Sequence, residues 1–84
     1  MKEYEFQAGE QVVVYADGSS RDNGKPNARG GWGFVILDKT ETWKRFENWG
    51  AEHGATNNQM ELRAAIEALE ALPKGVYIHM KLDS

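Results

Sequence analysis

Only one stretch of this chain reads as a helix, and it carries its own start and stop signals. Leu62, Ala65, Ile66, Leu69 and Leu72 recur at helical spacing and form one apolar stripe, with Glu67 and Glu70 off it. Thr56 stands three residues before Gln59, the spacing of a capping box, in which the two side chains satisfy free backbone N–H groups reciprocally. Pro73 and Gly75 end the run. The remaining patterned segments are strand-like. Residues 11–16 are almost continuously apolar and β-branched, which suits a central strand buried on both faces. Asp17-Gly18-Ser19-Ser20 reads as its stop, and a loop rich in Gly, Asn, Asp and Pro follows to about Gly30. A second strand is expected over 31–37, a turn at Asp38-Lys39-Thr40-Glu41, and a third strand over 42–49. The last strand is expected over 76–83. Val76, Ile78, Met80 and Leu82 would take one of its faces, and Tyr77, His79, Lys81 and Asp83 the other. Residues 1–9 read as a tail or an extra edge strand, and 10–84 as the domain itself.

The order strand, strand, strand, helix, strand defines an α/β class with a mixed sheet. Short loops make the first three strands an antiparallel meander. A right-handed crossover through the helix then sets the last strand parallel to the first. This topology has a chemical consequence. Asp17 ends the first strand, Asp83 ends the last, and Glu61 lies in the first turn of the helix. All three therefore converge at the carboxyl edge of the parallel pair, where open α/β sheets place their sites. Crowded carboxylates repel one another and need a counterion. Hard divalent cations supply it: Mg²⁺ takes oxygen ligands and keeps its other positions for water and substrate phosphates, with Mn²⁺ as the alternative ion. Two such ions, about 3.5–4 Å apart, can activate a water and stabilise the leaving oxygen of a phosphodiester. Each acid also has an ordinary reading. Asp before Gly is a turn residue, a first-turn Glu complements the helix dipole, and an Asp near a chain end is solvated.

Composition narrows the alternatives. The chain has no cysteine, which removes disulfides, thiolate metal sites and cysteine nucleophiles together. Its 84 residues allow one small domain. No apolar run follows the N-terminus and none approaches membrane-spanning length, so a cytoplasmic protein with no membrane contact is expected. The net charge of −3 runs against nucleic-acid binding, which usually draws on a basic surface. Metal-holding carboxylates count as negative until the ions arrive, however, and Arg21, Lys25 and Arg29 cluster in one loop. The ordinary reading of those three is a solvated loop. Trp32, Trp43 and Trp49 read as core or sheet-face packing rather than base-stacking platforms, His53 as an exposed loop residue and His79 as structural or surface. Gly30-Gly31-Trp32-Gly33 opens a strand, whereas a phosphate cradle precedes a helix.

Four segments resemble ribonuclease H type 1 in order and spacing. They are Tyr15-Ala16-Asp17-Gly18-Ser19, Gly30-Gly31-Trp32-Gly33, the run from Thr56 through Asn57-Asn58-Gln59-Met60-Glu61-Leu62 to Ala65, and Leu82-Asp83-Ser84. The third is the specific one, and the resemblance covers the chain from about residue 12 onward. It implies a ribonuclease H-like mixed sheet and an endonuclease that hydrolyses the RNA strand of RNA–DNA hybrids. It implies that Asp17, Glu61 and Asp83 are catalytic and metal-binding. It also implies that Asn57, Asn58 and the backbone of Gly18, Ser19 and Ser20 contact the hybrid's minor groove, where a 2′-hydroxyl distinguishes RNA from DNA. Thr56 matches a position that helps hold a DNA-strand phosphate.

The family continues beyond these motifs with helices, a fifth strand, a mobile histidine loop and a fourth catalytic Asp. The resemblance thus covers the N-terminal part of such a domain. It leaves an alternative: a truncated, weakly active or inactive hybrid-binding domain, or a fragment that needs a complementary C-terminal segment. The last strand would then present a bare edge with an apolar face, a template for pairing. On this reading the 84-residue chain self-associates, swaps elements with a copy or binds that segment, and does not persist as a compact monomer.

Overall fold

The computed structural model describes residues 5–21, 29–39 and 44–82. It contains β1 (Gln11–Arg21), β2 (Arg29–Asp38), β3 (Arg45–His53), α1 (Asn57–Glu70) and β4 (Tyr77–Leu82). The sheet order is β3-β2-β1-β4. β1 and β2, and β2 and β3, pair antiparallel, and β4 pairs parallel to β1, with Gln11 opposite Tyr77 and Ala16 opposite Leu82. This is the expected mixed sheet with one crossover helix.

β1 and β2 are longer than their apolar runs. Asp17-Gly18-Ser19-Ser20 is not a stop: β1 continues through it, with Asp17 opposite Gly33 and Arg21 opposite Arg29. The polar residues stay extended because the β2 ladder holds their backbone, a partnership that local turn propensity does not report. β2 already begins at Arg29, inside the expected loop to Gly30; Lys25 and Trp43 lie outside the described residues. β3 runs on to His53, four residues beyond the expected end at Trp49.

β1 is central, yet it is not buried on both faces. Val12, Val14 and Ala16 are buried, while Tyr15 is 46% exposed. Among the described residues α1 is the one helix, and it packs across β1 and β2 on the side of Val12, Val14 and Ala16, so alternate residues are covered. The core consists of Phe6, Val12, Val14, Ala16, Phe34, Ile36, Ala64, Ala68 and Leu72, with Trp32, Val76 and Met80 packed against it. Phe6 reaches it from a segment that turns rather than pairs: the Glu10 N–H donates to the Gln7 carbonyl and the Gly9 N–H to the Gly75 carbonyl. Lys44 bridges to Glu10 at 3.0 Å and lies over the Phe6 ring.

The helix boundaries agree with the sequence signals. Thr56 is the cap: its hydroxyl accepts from the Gln59 N–H at 3.1 Å, and the Gln59 amide oxygen accepts from the Thr56 N–H at 2.8 Å. The packed face, however, is not the full stripe of large residues. Met60, Ala64, Ala65, Ala68 and Leu72 are buried, whereas Leu62, Ile66 and Leu69 are 62%, 41% and 49% exposed. Small residues win this face because the helix backbone comes close to the strand at Gly18. On β4 the apolar face is likewise covered in part. Val76 and Met80 reach the core, and Ile78 and Leu82 remain open.

Candidate metal and nucleic-acid site

The junction between β1 and the start of α1 is the tightest contact relevant to function. A Cβ on Gly18 would lie 2.2 Å from the Met60 carbonyl carbon and 2.5 Å from the Glu61 nitrogen. No side chain fits there, so glycine is required for the strand and helix backbones to meet. Glu61 thereby stands against β1 one residue from Asp17. It is the fifth residue of α1, one position past the first turn in which the sequence placed it. Its ordinary first-turn role as a dipole partner therefore falls away.

One oxygen of the Glu61 carboxylate, Oε1, is buried and has no hydrogen-bond partner among the described residues. Burying a carboxylate oxygen without a donor or a cation is costly. The side chain is thus held where something positive is wanted. A hard cation fits this oxygen donor, and Asp17, next to Gly18 on β1, carries a donor of the same type. Asp17 itself is exposed, just past the Ala16–Leu82 pair with which the described parallel register ends. Among the described residues no group of three or more His, Asp or Glu is gathered to hold a metal. Asp83, the third expected ligand, lies outside the described residues, and it follows Leu82 directly in the sequence.

The residues expected to touch nucleic acid gather around the same junction. The Ser20 N–H donates to the Asn57 side-chain oxygen, and the Ser20 hydroxyl donates to the Ala55 carbonyl. Thr56 holds the cap, Asn58 is exposed on the first turn, and Ser19 is exposed on β1. The Ser20 contacts with Ala55 and Asn57 were not legible in the sequence, because they join positions 35 and 37 residues apart.

On the face of the sheet away from α1, Tyr15, Asp17, Gly33, Glu47, Trp49 and Lys81 line an open trough of about 660 Å³. The Lys81 ammonium stands 5.5 Å from the centre of the Tyr15 ring and brings positive charge to the Asp17 side. Trp49 is 73% exposed there. Trp32 instead stacks on Phe34 with centroids 6.3 Å apart and packs against the core. His53 ends β3 rather than sitting in a loop, and both it and His79 are exposed.

The family model described as RNase H matches residues 9–84. The chain belongs to the RNase H family. Ribonuclease H of Pseudomonas paraeruginosa (strain DSM 24068 / PA7) is 47% identical over 75 residues, which cover 89% of this chain and 47% of that protein. Ribonuclease HI of Pseudomonas aeruginosa gives the same identity and coverage. Ribonuclease H of Methylorubrum extorquens (strain PA1) is 47% identical over 74 residues, covering 88% of this chain and 30% of that protein. The chain thus spans about half the length, or less, of these relatives. Family membership agrees with the fold, whose β-β-β-α-β order and β3-β2-β1-β4 sheet are of the ribonuclease H type.

Proposed function

We propose that this chain carries the front part of an endonuclease that hydrolyses the RNA strand of RNA–DNA hybrids with Mg²⁺, or Mn²⁺ in its place. The observation that supports the reading is the buried Glu61 Oε1, which has no hydrogen-bond partner among the described residues, on a residue whose backbone meets β1 at Gly18, next to Asp17 in the chain. Asp17, Glu61 and Asp83 would hold the ions. Bound there, the ions would lower the pKa of a water and neutralise charge on the scissile phosphate and leaving oxygen, leaving a 3′-hydroxyl and a 5′-phosphate. The chain's own part is to hold hard oxygen donors in place on rigid elements. Asn57, Asn58 and the backbone of Gly18, Ser19 and Ser20 would face the minor groove of the hybrid, where donors and acceptors can meet 2′-hydroxyls. Thr56 would stand near a DNA-strand phosphate. The cytoplasm is the proposed setting.

A second reading has its own observation. Leu62, Leu69 and Leu82 are about half exposed or more, a surface suited to further packing. On that reading the chain binds hybrid, and cleaves only with a complementary C-terminal segment that brings a fourth carboxylate. Incubation of the protein with labelled hybrid, with and without Mg²⁺, tests both. Metal-dependent cleavage that Asp17→Asn abolishes is the outcome expected from the first reading. Binding without metal-dependent cleavage favours the second. Cleavage that persists unchanged in Asp17→Asn refutes the assigned site.

A further inference from the structure

The structure points to Ser20 as a positioning residue for the metal site, an inference that rests on the proposed roles of Asp17 and Glu61. Past Ala16, the described register of β1 with β4 ends while the β2 pairing continues to Arg21. The start of α1 and the segment just before it flank this length of β1 at two points. At the first, Gly18 abuts the Met60–Glu61 peptide. At the second, Ser20 makes two bonds: its N–H to the Asn57 side-chain oxygen and its hydroxyl to the Ala55 carbonyl. The hydroxyl also lies 3.4 Å from the Arg21 carbonyl, a longer and exposed alternative.

The buried face of α1 from Met60 to Ala68 packs on β1 and β2 and sets the axis of the helix. The Gly18 contact is steric and has no directional bond. The Ser20 bonds add direction at the first turn: the Asn57 bond lies about one helical turn before Glu61 on α1 and two residues past Gly18 on β1, and the Ala55 bond ties down the segment just before the cap. The groups whose separation depends on this junction are Asp17, before Gly18 on the strand, and Glu61, on the helix at the point of contact. Ser20 touches neither carboxylate. It acts through the backbone of Ala55 and the side chain of Asn57, and both of its donors are committed inside the protein.

The measurement is Mn²⁺ affinity, read from the electron-paramagnetic-resonance signal of the free ion, with Mn²⁺ as the only added ligand. The parent, Ser20→Ala, Ser20→Thr and Asp17→Asn are compared. Ser20→Ala is expected to weaken Mn²⁺ binding by about tenfold, the lower end of what loss of a supporting contact costs a metal site. Its melting midpoint should stay near the parent's. Ser20→Thr keeps the hydroxyl and should restore the affinity. Asp17→Asn checks the reading on which this rests: if it binds Mn²⁺ like the parent, the site itself is misassigned. If Asp17→Asn loses affinity while Ser20→Ala keeps it, the site stands and the positioning role is refuted. A Ser20→Ala protein that raises the KM for hybrid at unchanged Mn²⁺ affinity overturns the role too, since the Ser20 hydroxyl would then serve the substrate, beyond the backbone contact proposed above, and not the metal site. A Ser20→Ala protein that does not fold also overturns it, because the junction would hold the fold rather than the site.

Discussion

The two faces of α1 differ in a way that inverts the usual association of size with burial. Its inner face is lined largely with alanines, and Ala64 and Ala68 are wholly buried. Its outer face carries Leu62, Ile66 and Leu69, all more than two-fifths exposed. The inner face serves proximity: small side chains let the helix backbone reach β1 at Gly18 and bring Glu61 to the strand. The outer face holds more apolar area but has no such partner among the described residues. Position against a neighbour, rather than hydrophobicity, decides which face is core.

The largest effect should come from closing the gap where the inner face touches the strand. Gly18→Ala places a Cβ inside the Met60–Glu61 peptide and must push helix and strand apart, at about 3 kcal/mol or more, the upper end of overpacking costs. Urea unfolding should show the loss, and Mn²⁺ affinity should fall with it as Glu61 retreats. A fully stable Gly18→Ala protein with parental Mn²⁺ binding would break the claim that this contact sets the site. Next is Ala68→Leu, which adds three heavy atoms to a wholly buried position and should cost about 2 kcal/mol. Loss of less than about 0.5 kcal/mol there would mean that the inner face has room, contrary to its burial. The smallest effect is expected on the outer face. Leu62→Ser should change the unfolding free energy by no more than about 0.5 kcal/mol, as at other surface positions. A loss like that of Ala68→Leu would show that Leu62 is covered in solution, and sedimentation of the same variant would show whether another copy covers it.

Much of the helix was legible locally. The Thr56–Gln59 capping box, the Pro73 and Gly75 stop and the strand-like runs around it depend on residues a few positions apart. The apolar stripe was right in period and wrong in part about depth, because Leu62 and Ile66 match the 3.6-residue repeat as well as Ala64 and Ala68 do. The end of β1 failed for the opposite reason: Asp17-Gly18-Ser19-Ser20 has the composition of a turn, yet β2 on one side and the start of α1 on the other keep it extended. For the site, the order of elements was enough to bring Asp17 and Glu61 to one end of the sheet. It could not show that Glu61 has a buried oxygen lacking a partner among the described residues, or that Ser20 is bonded to Ala55 and Asn57.

The sequence by itself determined the element order, the helix cap and the placement of Asp17, Asn57 and Glu61 near one end of the sheet. These follow from local periodicity, capping and the handedness of the crossover, which act over short stretches of chain or on chain direction alone. Only the tertiary structure decided which apolar face of α1 is core, how far β1 extends and how closely Glu61 approaches the strand. Those outcomes depend on steric contact between Gly18 and Met60, residues 42 positions apart, and no local pattern records such a distance.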